Sequence, residues 1–91
     1  MKRVIRRKTY RDDLLSIADY IAQESPGAAA RLRLHIDDQV AKLADPNFPR
    51  RPGRIAGTRE LVVHKNYIVI IVEDDDTVTA LNVVHVRRQF P

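Results

Sequence analysis

Apolar residues gather in the last third of the chain, from Gly57 to Arg88, in three runs separated by polar turn signals. Leu61 to Val63 and Tyr67 to Val72 are divided by Lys65-Asn66, and Val78 to Val86 follows the charged stretch Asp74-Asp75-Asp76. This pattern predicts a three-stranded antiparallel meander with two tight connections. The middle run is apolar at every position from Ile68 to Val72. A strand with one wet face would alternate, so this run is predicted to be central and covered on both sides. In the third run Val78, Ala80, Val84 and Val86 share a parity with Asn82, while Thr79, Leu81 and Val83 share one with His85 and Arg87.

The first half has a helical period instead. Val4 and Ile5 between basic residues fit a short edge strand within Met1 to Arg7, whose charges discourage sheet-to-sheet pairing. Thr9-Tyr10-Arg11-Asp12 approximates a capping box, which predicts a helix from Tyr10 to about Glu24 with the stripe Tyr10, Leu14, Ile17, Ala18 and Ile21. Ser25-Pro26 supplies a second N-cap with proline at the first helical position. The stripe Ala29, Leu32, Ile36, Val40 and Leu43 then carries a helix from Pro26 to about Ala44. So short a connection predicts an antiparallel helical hairpin. Asp45-Pro46-Asn47-Phe48-Pro49 stops the second helix, and a stiff basic loop through Arg50-Arg51-Pro52-Gly53-Arg54 leads into the sheet.

The fold class that follows is α+β: an N-terminal strand, a helical hairpin and the meander, in one small sheet. A hairpin covers one sheet face. If the middle strand is apolar on both, the other face is left open to a protein partner, or long Arg and Tyr side chains drape over it.

Composition sharpens this picture. Ninety-one residues without a repeat make one domain, which buries somewhat over ~60% of the surface its unfolded chain exposes. No cysteine is present, so thiolate chemistry is excluded and a reducing cytoplasm is the expected home. No apolar run is long enough to span a bilayer, and the basic start is followed by Tyr10-Arg11-Asp12-Asp13, unlike a secretory signal, so a soluble, unsecreted protein without membrane contact is expected.

The net charge is +4, concentrated in three acid-free stretches: Lys2 to Arg11, Arg50 to Arg59, and Arg87-Arg88. If they converge they suit phosphates or an acidic partner; otherwise they keep a small domain soluble.

The chain has no Gly-rich phosphate loop, nucleophile elbow or HExxH motif, so no cofactor is implied. His35, His64 and His85 lack metal-ligand spacing, and Asp74-Asp75-Asp76 reads as a solvated turn rather than a cation loop. The remaining candidates are His85 with Arg87, Arg88, Arg54, Arg59 and Tyr67. Metal-free RNA cleavage needs a base for the 2′-hydroxyl, an acid for the leaving oxygen and cations for the phosphate, which this group could in principle supply. The alternative is a strand end with solvated arginines and a packed tyrosine.

With these residues in view, the chain resembles the RelE/ParE superfamily of toxins from bacterial type II toxin-antitoxin modules. The resemblance runs nearly full length: the basic first strand, DLLSIADYIAQ, SPGAAARL, the PGR loop, GTREL, NYIVIIV and the terminal VVHVRRQFP. GTREL followed by the tyrosine strand and HxRR lies close to the ParE-like branch.

The resemblance implies a cognate antitoxin whose C-terminal segment wraps the toxin and whose N-terminal ribbon-helix-helix domain binds operator DNA, with Leu14, Ile17, Leu61, Val63, Tyr67 and Val69 as expected contacts. It implies DNA gyrase as the target of a ParE-like chain, met through Arg54, Arg59, Tyr67, His85, Arg87 and Arg88. For a RelE-like chain the target is mRNA in the ribosomal A site, and the catalytic group would be His85, Arg87, Arg54, Arg59 and His64. RelE-like nucleases usually carry a basic residue directly after the strand tyrosine and a C-terminal aromatic. This chain has Ile68 there, and its end, Phe90-Pro91, has no hydroxyl, which favours the gyrase inhibitor over the enzyme.

Overall fold

The computed structural model describes residues 1–87. Arg88, named above as target-facing, lies outside the described residues, as do Phe90 and Pro91. The chain runs β1 (Arg3–Arg6), α1 (Lys8–Ala22), α2 (Pro26–Ala41), a 3-10 turn (Lys42–Ala44), β2 (Arg51–Pro52), β3 (Arg59–His64), β4 (Tyr67–Glu73) and β5 (Thr77–His85). The strands form one sheet in the order β1-β5-β4-β3-β2. β3, β4 and β5 are the predicted antiparallel meander, and β4 is central. β1 lies parallel to β5 at the edge, so the sheet is mixed, and the stretch read as an irregular loop adds the two-residue strand β2 at the other edge.

Both helices pack on one face. Tyr10, Leu14, Ile36, Val40 and Leu43 from the helical side meet Leu61, Val63, Val69, Ile71, Val78, Ala80 and Val83 from the sheet. Tyr10 is fully buried, and its hydroxyl donates to Asp37 Oδ1 at 3.0 Å, the oxygen that also accepts from Arg6 Nε at 2.7 Å. Burial first, then the Asp37 charge, pushes the phenol far above its ordinary range. The Ser25 hydroxyl accepts from the Ala28 amide as the N-cap of α2, with proline behind it as read. The start of α1 differs from the capping-box reading. The helix opens at Lys8; Thr9 turns away to donate to the Leu81 carbonyl, and Asp12 pairs with Lys8 one turn back. A tertiary hydrogen bond has taken the side chain that the local motif assigned to the cap.

Two register shifts re-aim side chains. In β5 the partner of Ile70 is Asn82 and that of Ile71 is Ala80, leaving Leu81 as an extra, unpaired residue. A bulge reverses parity beyond it. Val78 and Ala80 therefore share the helix-covered face with Val83, not with Val84 as alternation predicted. In β3 the shift falls between Val62 and His64, where His35 Nε2 of α2 donates to the Val63 carbonyl at 3.0 Å.

The open-face expectation fails over the middle of β4. Ile68, Val69, Ile70 and Ile71 are at most 5% exposed, and only Tyr67 and Val72 of that run are half-buried. Ile68 and Ile70 alternate with the helix-covered Val69 and Ile71, so they lie on the opposite face. Beside Ile70 on β3 is Glu60, 1% exposed, with Arg51 and Arg54 paired to its carboxylate. On the same face Val62, the cross-strand neighbour of Ile68, is 53% exposed, so this face is closed around Ile70 and open at Val62.

Gly57, just before β3, is in the left-handed region at φ +81°. A Cβ on Gly53 would sit 2.8 Å from the Thr58 carbonyl oxygen, the acceptor of the Gly53 amide that closes the loop.

Candidate functional site

The second basic stretch serves the fold. Glu73 at the end of β4 receives Lys2 Nζ at 2.6 Å, Arg50 Nη1 at 3.0 Å and the Arg59 guanidinium at 3.6 Å. The Arg50 side chain is 5% exposed and also donates to the carbonyls of Phe48, Leu43 and Asp45. Glu60 likewise accepts from Arg51 Nε at 3.1 Å and from the Arg54 amide at 3.1 Å. These arginines anchor β2 and the loops to the buried Glu60 and the half-buried Glu73.

For Glu60, burial works against ionisation, but the Arg54 amide, the Arg51 side chain and the two positive charges outweigh it and hold the carboxyl below its ordinary 4.5. A depressed carboxylate contributes stability that is fully present above 4.5 and lost as pH falls through the lower folded-state value. Glu60→Gln is therefore expected to flatten the acid limb of stability. Thermal melts between neutral pH and pH ~3 should show the wild type losing its advantage over the variant only below ~4.5. Parallel curves for the two proteins would refute this.

A different group converges at the far end of the sheet. His64 and His85 are the cross-strand partners of Tyr67 on either side. The Tyr67 ring stands edge-on to His85 at 5.1 Å between centroids and tilted to His64 at 5.7 Å. The Asn66 amide donates to His64 Nδ1 and the Arg87 amide to His85 Nδ1, each at 3.0 Å. With Nδ1 accepting, the proton of each neutral ring is on Nε2.

Asp13, Ser16, Ile17 and Tyr20 of α1 face this end across an open groove of about 720 Å³, which His85, Arg87 and Tyr67 line from the other side. Tyr20 is 73% exposed. β1 accompanies β5 only to Ala80; beyond it, Asp13 Oδ2 accepts from the Val83 amide and from Asn82 Nδ2, both at 3.0 Å. α1 thereby takes the place of a neighbouring strand and is held at a set distance from His85.

The residues named from sequence fall into separate places. Tyr67, His64, His85 and Arg87 come together. Arg54 and Arg59 lie at the opposite end of β3, roughly 15 Å away by strand rise. Of the expected antitoxin contacts, Leu14, Leu61, Val63 and Val69 are core residues at most 6% exposed, and this corrects that assignment; only Ile17 and Tyr67 reach the surface. Apolar spacing marks a buried stripe and a docking stripe alike. Tyr20 and Asp13 were missed because they fall off the stripe of α1. Asp74 Oδ1 accepts from the amides of Asp76 and Thr77, so its carboxylate closes the β4–β5 turn, and these bonds hold it below its ordinary value. Among the described residues no cluster of three His, Cys, Asp or Glu is placed to hold a metal ion.

The model of the family described as "ParE toxin of type II toxin-antitoxin system, parDE" matches residues 4–90. The chain belongs to this toxin family. It is 39% identical over 75 residues to the putative toxin Y4kP of Sinorhizobium fredii, covering 82% of this chain and 78% of that one. It is 38% identical over 78 residues to the toxin RelE2 of Caulobacter vibrioides, covering 84% and 85%. The fold of this ParE-family chain is also that of the chromosomal ParDE toxin-antitoxin system from P. aeruginosa, with TM-score 0.83, 21% identity and coverage of 96% and 98%. A structure of the E. coli DinJ-YafQ complex matches at TM-score 0.65 and 11% identity over 93% of each chain. Membership of this toxin family implies a cognate antitoxin as partner. No helix among the described residues is long and apolar enough to cross a membrane.

Proposed function

We propose that this toxin inhibits DNA gyrase by protein contact, presenting the groove of Tyr20, Tyr67, His85 and Arg87 to its target, and that an antitoxin with a ribbon-helix-helix domain neutralises it and binds operator DNA. The observation that carries this reading is the separation of the charges. Arg54 and Arg59, the cations a phosphate-cleaving group would need beside His85, sit at the other end of the sheet and are held by Glu60 and Glu73. The groove itself combines exposed aromatic surface with Arg87 and the Asp13 carboxylate. Tyrosine and arginine are the side chains that most often anchor a protein interface.

A second reading, a ribosome-dependent mRNA endonuclease of the RelE type, is favoured by one feature. His64, Tyr67 and His85 stand ring to ring with Nε2–H groups free to act on a substrate, in the manner of a small acid-base group.

Expression without antitoxin separates the two. The expected outcome is filamentation and a DNA-damage response while translation continues, with purified toxin trapping gyrase-cleaved DNA. Immediate translation arrest with mRNA cut at codon-spaced positions would sink the gyrase reading in favour of the nuclease.

A further inference from the structure

We propose that Asp13 of α1 and His35 of α2 are the positioning residues of the target groove, one on each side, and that together they fix the spacing of His64, Tyr67 and His85. This rests on the reading of that end of the sheet as the surface that meets the target, and it names what holds the surface in shape.

The sheet narrows towards this end. β1 pairs with β5 only as far as Ala80, and β2 pairs with β3 only at Arg59 and Glu60. Beyond those points β3, β4 and β5 continue, among the described residues, as a three-stranded ribbon that carries His64, Tyr67 and His85 side by side. Its outer strands are edges, and an edge strand has backbone groups without a ladder partner. Each also carries a register shift close to its histidine, after Val62 in β3 and at Leu81 in β5. A bulge disrupts the ladder locally and bends the strand, so pairing with β4 does not by itself fix where the two rings stand.

The helical hairpin supplies the missing partners. Asp13 Oδ2 accepts from the Val83 amide and from Asn82 Nδ2, both at 3.0 Å, two residues before His85. His35 Nε2 donates at 3.0 Å to the carbonyl of Val63, the residue before His64. One helix thus grips each outer strand next to the ring which that strand carries. Asp13 is half-buried and His35 exposed, and neither belongs to the hydrophobic core. Core packing seats the helices on the sheet without them, so what these bonds add is local, the lateral position of the two strand ends. A turn of either end would change the 5.1 Å and 5.7 Å ring spacings and move the groove wall that His85 and Arg87 form. A contact surface held in its bound shape binds more tightly than one that must be ordered on contact.

The test compares purified full-length variants by the NMR ring signals of His64 and His85. It pairs them with the toxin concentration that half-inhibits gyrase supercoiling, or translation should the wild type act there. Asp13→Ala is expected to shift the His85 signals, which the Tyr67 ring influences, and to raise the inhibitory concentration about 10-fold or more, the effect of losing hydrogen bonds to a charged group. His35→Leu should shift the His64 signals instead, with a smaller loss of about 3-fold. The conservative variants should rescue. One oxygen of Asp13 takes both bonds, so the carbonyl oxygen of Asp13→Asn can replace it, and the side-chain amide of His35→Gln can donate to the Val63 carbonyl. Each should recover the wild-type ring signals and most of the inhibition. Asp13→Glu keeps the acceptor on a longer arm and should displace the His85 signals, so it decides the case if Asp13→Ala does not fold.

Unmoved ring signals and full inhibition in Asp13→Ala, or in Asp13→Glu in its place, and in His35→Leu would overturn the positioning role and leave the gyrase reading intact, even if both variants melt at lower temperature. Loss of inhibition in Asp13→Asn with the His85 signals in place would also overturn it, because Asp13 would then meet the target through its charge. A wild type that inhibits neither gyrase nor translation would overturn the target reading and the role built on it.

Discussion

Glu73→Ala is expected to remove a large share of the domain's stability. A chain of 91 residues has roughly 5–13 kcal/mol to lose at the usual stability per residue. The variant leaves Arg50, whose side chain is 5% exposed, without the anion that compensates it, and frees Lys2 and Arg59 at the same time. Breaking such a buried pair from one side costs about 3–5 kcal/mol. For a domain of this size that is a fall in melting temperature on the order of 15 °C or more.

The chain geometry explains why one carboxylate matters so much. Lys2 comes from the N-terminal end, Arg50 from the loop after α2 and Arg59 from the start of β3, so Glu73 ties three segments to the end of the central strand. Arg59→Ala should cost far less, because that guanidinium is half exposed and its pairing is screened by water. Thermal or urea denaturation of the two variants checks the ranking. A loss below ~1 kcal/mol for Glu73→Ala would mean that the cluster behaves as a surface pair.

Arg87→Glu is expected to abolish growth inhibition while leaving antitoxin binding in place. Arg87 is exposed on the groove wall beside His85, and its backbone amide, not its side chain, fixes the His85 ring. The substitution therefore reverses a charge at the contact without disturbing the ring cluster. Losing a central arginine anchor costs about 2–4 kcal/mol, which is roughly 30- to 1000-fold in target affinity. A companion variant, Tyr67→Phe, keeps the ring that packs between the histidines and removes the hydroxyl. Protein contact predicts only a few-fold loss for it, whereas acid-base chemistry through the hydroxyl predicts a collapse of activity. Gyrase supercoiling and growth assays read both. Full toxicity of Arg87→Glu would remove this groove as the target surface.

The elements of this fold were legible because their signals are local. Ser25-Pro26 caps α2, Lys65-Asn66 turns β3 into β4, and the unbroken apolar run from Ile68 to Ile71 is the buried centre of the sheet. Each depends on neighbours a few residues away, where backbone preference and hydrophobic period act. The family could be recognised for the same reason: it is carried by the order of these segments.

What each charged residue does was not legible. Arg50, Arg51, Arg54 and Arg59 read as one basic patch, yet their carboxylate partners are Glu60 and Glu73, and Lys2 meets Glu73 from 71 positions away. The bulge at Leu81 turned Val78 and Ala80 to the same face as Val83, because a single unpaired residue reverses alternation for everything beyond it.

The sequence by itself determined the helical hairpin, the meander, its central strand and the toxin family, since these follow from periodicity and turn chemistry along the chain. Only the tertiary structure decided which carboxylates the arginines meet, that Ile68 and Ile70 are buried on the strand's second face, and that Tyr20, Tyr67, His85 and Arg87 share one groove. Those outcomes depend on pairings between distant segments, and pairing energies of that kind are set by burial and geometry that no local pattern encodes.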